Sequence, residues 1–304
     1  MSRDPRWDVV GVGCNSVDHV YRAATLPLPD SPSAKQRLTG HERMCGGQMA
    51  TALAACAAFG LRTAYIGAVG HDDNGRRIIG ELRARGVDVS AVTTRPCDNR
   101  FAVITVDDAT GDRTILWDRD PRLDLGQDDI DEALIAAARL VHVDDEDEGA
   151  AILVATLARS HGVTVTSDID RLTPRTAELL AQVTVPIFAQ HILLELTGVS
   201  DASEALRRAT ATHHQLACVT LGARGALLLV NGEILHEPAM PVTAVDTTGA
   251  GDLFRAGFIF AWLSGAPPRE MLRMANAAAA LSCTRPGAMA SIPALADVRA
   301  LAAR

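Results

Sequence analysis

No G-x-x-x-x-G-K-[ST] string occurs in the 304 residues, which excludes a Walker-type phosphate loop. C-x-x-C spacing is missing as well. The six cysteines (14, 45, 56, 97, 218 and 283) are scattered, most of them among apolar neighbours. That pattern speaks against a zinc site or disulfide framework and for free thiols in a reducing compartment. Apolar runs are broken by Gly, Arg or Asp well before the roughly 18–20 residues a bilayer span needs. The opening Met-Ser-Arg-Asp-Pro-Arg-Trp-Asp has no apolar stretch of the signal-peptide kind, so a cytoplasmic location is expected, with no membrane partner. Positive charge is in deficit, and a formal net charge of −8 argues against nucleic acid as the partner. No internal repeat or low-complexity linker interrupts the chain. What is present, 48% hydrophobic and 22% charged residues, is ordinary for a soluble globular protein long enough to bury a large α/β core.

Against that background one stretch stands out: Val245-Asp246-Thr247-Thr248-Gly249-Ala250-Gly251-Asp252. It runs into Leu253–Trp262, an apolar segment that reads as a buried helix. A Gly-rich turn entering a helix leaves backbone N–H groups unpaired at the positive end of the helix dipole, which makes an anion site. Gly249, Ala250 and Gly251 lack bulk, so a phosphate can come close to the backbone. Asp252 would repel that phosphate unless it had another task, and it is placed to accept a proton from a hydroxyl beside the anion.

Upstream, Trp7–Gly13 reads as the first strand of an α/β sheet. Gly11-Val-Gly13 lacks the third glycine of a dinucleotide fingerprint, so a Rossmann cofactor site is discounted. Asp18 lies just past that strand, either as a solvated loop residue or as a carboxylate able to accept two hydroxyl hydrogen bonds. Residues 22–44, with prolines at 27, 29 and 32, read as loop plus edge strand. Gly46-Gly47 opens an Ala-rich helix that Gly60 can cap. Phe101–Val106 and Arg113–Trp117 alternate around a turn and form a hairpin. Asp144-Asp145-Glu146-Asp147-Glu148 ends the strand at Leu140–Val143. Those five acids are either a solvated helix N-terminus or the rim of a pocket that disfavours anionic substrates. Cations near such a pocket are few: Lys35, Arg100 and Arg113.

Asp246–Asp252 followed by Phe254-x-x-Gly257-Phe258 resembles the C-terminal signature of the PfkB (ribokinase-like) carbohydrate kinases. Gly46-Gly47 through Gly70-x-Asp72-x-x-Gly75 resembles the N-terminal signature, with Thr51 where the family usually has Asn. The resemblance covers nearly the whole chain. It implies one ribokinase-like α/β domain over 1–304, with a mostly parallel central sheet, helices on both faces, and a small β lid from about 14–44 and 97–120. It implies an ATP-dependent sugar kinase with Asp252 as general base and the 249–252 turn as anion hole. Asp18, Gly46, Gly47, Lys35 and Arg113 are then candidates for the sugar. Thr220, Gly222 and Gly225, together with Asn276 and Gly287, are candidates for the nucleotide.

The implied cofactors are ATP and Mg²⁺, with room for a monovalent cation. The implied partner is a small-molecule sugar, and a homodimer through the lid is compatible. One departure concerns the metal: the family's Asn-x-x-Glu would fall on Ala189 and Ile192, so no protein ligand for Mg²⁺ is assigned. Gly-Gly-x-x-Ala-Thr with Cys283-Thr-Arg-Pro-Gly-Ala also resembles the sulfofructose kinase branch, whose sulfonate would need cationic partners. A nucleoside kinase and a catalytically silent sugar or nucleotide sensor on the same fold remain as alternatives.

Overall fold

Val- and Ala-rich runs without polar alternation form strands buried on both faces, and amphipathic segments between them form helices. The computed structural model describes residues 5–27, 30, 32, 34–210, 214 and 216–304. Pro29 therefore lies outside the described residues. The first half contains β1 (Trp7–Val12), β2 (Ser16–Ala23), β3 (Gly40–Gly46), α1 (Gln48–Ala58), β4 (Thr63–Gly70), α2 (Asp73–Ala84), β5 (Val92–Arg95), β6 (Phe101–Asp107) and β7 (Arg113–Asp118). Next come α3 (Glu132–Ala136), β8 (Ala138–Asp144), α4 (Glu148–Ser160), β9 (Thr164–Asp168), α5 (Thr176–Gln182), β10 (Ile187–Ala189), α6 (Gln190–Thr197) and α7 (Ala202–Thr210). The chain closes with β11 (Leu216–Thr220), β12 (Ala226–Val230), β13 (Glu233–Glu237), α8 (Ala250–Leu263), α9 (Pro268–Ser282) and α10 (Leu295–Ala302).

Five parallel strands run in the order β5-β4-β1-β8-β9. Bridges at Thr166–Val185 and Ile169–Phe188 join them to β10-β11-β12-β13, where only the last two pairings are antiparallel. Val9 and Val10 point to opposite faces and enter different cores. Val9 packs with Met49, Leu53 and Phe258 under α1 and α8; Val10 packs with Ile135, Val154 and Leu179 under α3, α4 and α5. The sheet thus carries helices on both faces, as expected from the alternation of apolar strands and helical segments.

A separate four-stranded sheet, β3-β2-β6-β7, stands beside this body. Its β6–β7 hairpin is the one read from Phe101–Val106 and Arg113–Trp117. β7 is exposed along its whole length, Ile115, Leu116 and Trp117 included. The inner face carries Asp18, Val20 and Ile104 toward the body, opposite the start of α8. No helix among the described residues is long and apolar enough to cross a membrane.

Candidate active site

The turn before α8 is held in shape by Asp246. Its Oδ1 accepts from the Thr248 amide (2.9 Å) and hydroxyl (2.7 Å), and its Oδ2 accepts from the Gly287 amide (2.9 Å). Gly249 caps the helix at φ 79°, where any side chain is strained, and an added Cβ would come within 2.8 Å of Ala288. The Ala250 amide donates to the Thr247 carbonyl (3.2 Å), so its donor is spent inside the turn. The amides of Gly249, Gly251 and Asp252 have no acceptor among the described residues. The anion hole read from the sequence is therefore narrower than 249–252: Ala250 shapes it without donating.

Asp252 sits in the first turn of α8 and is only 9% exposed. Burial pushes its carboxyl up to about 7. The Arg255 guanidinium pulls the other way, while Asp144, Asp170 and Asp18 add to the rise. A carboxylate poised there is a competent proton acceptor near neutral pH.

Two clefts meet at this turn. One, of about 400 Å³, lies between the small sheet and the body and is lined by Asp18, Glu42, Arg113, Asp246, Thr248 and Gly287 among others. The second, of about 470 Å³, is more apolar and includes Thr220, Gly222, Gly225, Thr247, Gly251 and Asn276 in its walls. The turn thus presents Asp246 and Thr248 to one cleft and Thr247, Ala250 and Gly251 to the other.

The structure distributes the sequence candidates unevenly. Asp18 lies in the first cleft, accepts from Ser16 Oγ (3.0 Å), and is raised above the ordinary carboxylate range by burial. Gly46 makes room for it, since a Cβ there would meet Asp18 Oδ2 at 2.8 Å. Gly47 is the N-cap of α1. Thr220, Gly222 and Gly225 do line the second cleft. Asn276 lines it too, but its amide is spent on the carbonyls of Glu237 and Pro238 (3.0 Å each), so it fixes that wall. Gly287 belongs to the first cleft, not the second, because Asp246 pins its amide on the Asp18 side. Lys35 is exposed and lines neither cleft. Arg113 reaches from β7 to the turn, donating to Asp246 (3.0 Å), Thr248 (2.7 Å) and Thr247 (2.8 Å). It works as a strap between the small sheet and the turn.

The acidic run 144–148 is not a solvated face and lines neither of the two clefts; Glu146 and Asp147 border a separate small pocket with Cys14, Asn15 and Arg100. Asp144 is fully buried, accepts from the amides of Cys14 (2.7 Å) and Glu146 (3.0 Å), and burial pushes it up to about 8. Asp145 accepts from the amides of Asp170 and Arg171. Glu146 pairs with Arg100, whose guanidinium also stacks on Trp117, so that arginine is committed. Asp147 caps α4 and Glu148 accepts from Thr173. A run of acids looks solvated in a sequence because its many local donors lie elsewhere in the chain.

Sequence reasoning overlooked Asp246 as the hub of the turn and Arg255 beneath it. The signal for Arg255 was present: it is the lone charge inside an otherwise apolar helix after Asp252. The metal test is negative at the expected place. Ala189 ends β10 and Ile192 is buried on α6, so neither offers a side-chain oxygen donor. No group of three or more His, Cys, Asp or Glu among the described residues could hold a metal. A protein-held Mg²⁺ of the Asn-x-x-Glu kind does not fit these residues.

The model of the pfkB family carbohydrate kinases matches residues 14–295. The chain belongs to this family. It is 33% identical over 289 residues to an ATP-dependent ribose-1-phosphate kinase of Halopiger xanaduensis, covering 92% of this chain and 93% of that one. It is 26% identical over 297 residues to a ribokinase of Haemophilus influenzae, covering 93% and 94%. Among solved structures, Arabidopsis thaliana ribokinase complexed with ribose and ATP superposes with a TM-score of 0.85 at 26% identity, covering 97% and 98%. The fold is therefore the ribokinase-like α/β fold, and the enzyme is a carbohydrate kinase.

Proposed function

We propose that this carbohydrate kinase transfers the γ-phosphate of ATP to a hydroxyl of a neutral sugar, as a single-domain cytoplasmic enzyme with the small sheet as its lid. One observation carries the reading: the turn lines the Asp18 cleft through Asp246 and Thr248 and the Thr220–Gly225 cleft through Thr247, Ala250 and Gly251, with its free amides and the buried Asp252 at the helix start beside them. Sugar in the first cleft and nucleotide in the second would bring their reacting groups together at that turn. Asp18 accepts hydrogen bonds from sugar hydroxyls. Asp252 takes the proton of the attacking hydroxyl, and the amides of Gly249, Gly251 and Asp252 hold the transferring phosphoryl group. Phosphoryl transfer needs mainly this alignment and charge stabilisation. Arg113 closes the lid sheet onto the turn. Mg²⁺ brought by the nucleotide would be held by phosphate oxygens and water, since Ala189 and Ile192 would supply no side-chain ligand.

The preference for a neutral sugar rests on charge in the cleft. Asp18, Glu42 and Asp246 are carboxylates; of its two cations, Arg113 is held by Asp246 and Arg22 pairs with Asp108. An anion entering that cleft meets the carboxylates of Asp18 and Glu42, which Arg113 and Arg22 do not pair with, a repulsion of about 4 kcal/mol for unit charges about 4 Å apart at a surface-like dielectric. The exposed edge of β7 supports a homodimer through the lid, which light scattering would test. An ADP-release assay over ribose, fructose, ribose 1-phosphate and nucleosides tests the substrate class. Preference for ribose 1-phosphate would replace the neutral-sugar reading; no ADP above background with any of them would oppose kinase activity.

A further inference from the structure

Arg255 occupies a place that packing alone does not explain. It lies one turn after Asp252 on α8, is 3% exposed, and is surrounded by the apolar residues of that helix. Burying a guanidinium costs several kcal/mol unless it is well paired, and a Leu or Met would fill the same volume at no such cost. Its pairing is incomplete. Asp168, at the end of β9, is its counter-ion through Oδ1 and the guanidinium Nη2, yet Arg255 Nε lacks a hydrogen-bond partner. The Nη1 end lies under the phosphate turn, where a Cβ on Gly251 would come within 2.7 Å of it. Gly251 therefore serves two neighbours: its missing side chain leaves space for Arg255, and the residue itself lines the second cleft.

We propose that Arg255 is a positioning residue for the phosphoryl-transfer step, a fixed cation that holds Asp252 ready as a base, with Asp168 setting how much of its charge Asp252 feels. The inference rests on the reading of Asp252 as the proton acceptor. The groups facing Asp252 are Arg255 from its own helix, Asp144 from β8, Asp170 beyond β9 and Asp18 from the lid sheet; those facing Arg255 are Asp168 from β9, His142 from β8 and Cys218 from β11. Only Arg255 in these sets bears positive charge at neutral pH, since burial holds His142 down to about 3. Ala189 and Ile192 add no polar group at the neighbouring end of β10. The guanidinium is thus the one cation of these two sets, set one helical turn from the base and ion-paired with Asp168.

The test is the acidic limb of the kcat/KM–pH profile, read alongside thermal unfolding, for Arg255→Gln, Arg255→Lys and Asp168→Asn. Arg255→Gln removes the cation and should move the limb up by about one pH unit or more. Asp168→Asn removes the counter-charge and should move it down. Arg255→Lys should leave it near the wild-type position. Limbs that stay in place in Arg255→Gln and Asp168→Asn, with only stability changed, would overturn the proposal and make the pair a packing feature. If Arg255→Gln does not fold, the downward shift in Asp168→Asn still decides. Asp252→Asn separates the two claims: retained turnover removes the base itself, whereas lost turnover with unmoved limbs removes only the role of Arg255.

Discussion

Gly249→Ala is the most informative single-atom perturbation of this site. At φ 79° an L-residue costs about 1–2 kcal/mol, and the added Cβ would press on Ala288 at 2.8 Å. Overpacking of that kind costs about 1–3 kcal/mol more. The two sum to about 2–5 kcal/mol, a large share of the roughly 5–15 kcal/mol of a typical domain. Relieving the strain by turning the backbone at Gly249 would reorient the free amides of the turn, and losing one such donor to the transition state costs about 10²–10³ in turnover. Urea unfolding and steady-state turnover measure both effects. Gly251→Ala is the comparison: its backbone is helical, so the left-handed cost is absent, but its Cβ would meet the paired Arg255 guanidinium at 2.7 Å. It should cost less stability than Gly249→Ala by about the 1–2 kcal/mol of the left-handed backbone. Gly249→Ala as stable and as active as wild type would refute the reasoning.

The remaining predictions are narrower. Asp252 acts ionised and its carboxyl is held near 7, so kcat should fall as pH drops below about 7 and level off above it; a limb near 4 in a pH–rate profile would contradict this. Arg113→Ala removes three charge-assisted hydrogen bonds from a partly exposed strap. Discounted for exposure, the loss of about 1–2 kcal/mol should raise KM for the sugar about 5–30-fold with a smaller effect on kcat. Native thiol titration should find Cys97 and Cys283 first, because Cys14, Cys45, Cys56 and Cys218 are buried and their thiols are pushed up. ATP should slow Cys283, which lines the second cleft, and leave Cys97 unchanged.

Much of the fold was legible because its signals are local. Val- and Ala-rich strands, the Ala-rich helix after Gly47 and the 101–117 hairpin follow from periodicity and turn residues alone. The Gly-rich turn before α8 was legible for the same reason, since unpaired helix-start amides are a property of the chain segment itself. What escaped depends on partners distant in sequence. Asp144 reads as solvated until Cys14, 130 positions away, donates to it. Gly287 changes clefts because Asp246 holds its amide across 41 positions. Arg113 reads as a free cation until the small sheet sets it on the turn. Electrostatic roles are the least local of all, and Arg255 acquires its meaning only from Asp168 on a different strand.

The central claim is that Asp252 accepts the proton of the attacking hydroxyl, and Asp252→Asn tests it most directly. The change keeps the side chain's shape and removes a buried charge, so the fold should survive, and calorimetry should find ATP and sugar binding largely intact. Turnover in the ADP-release assay should fall by about 10²–10⁴ or more. A variant that binds both substrates and turns over at near wild-type rate would contradict the account.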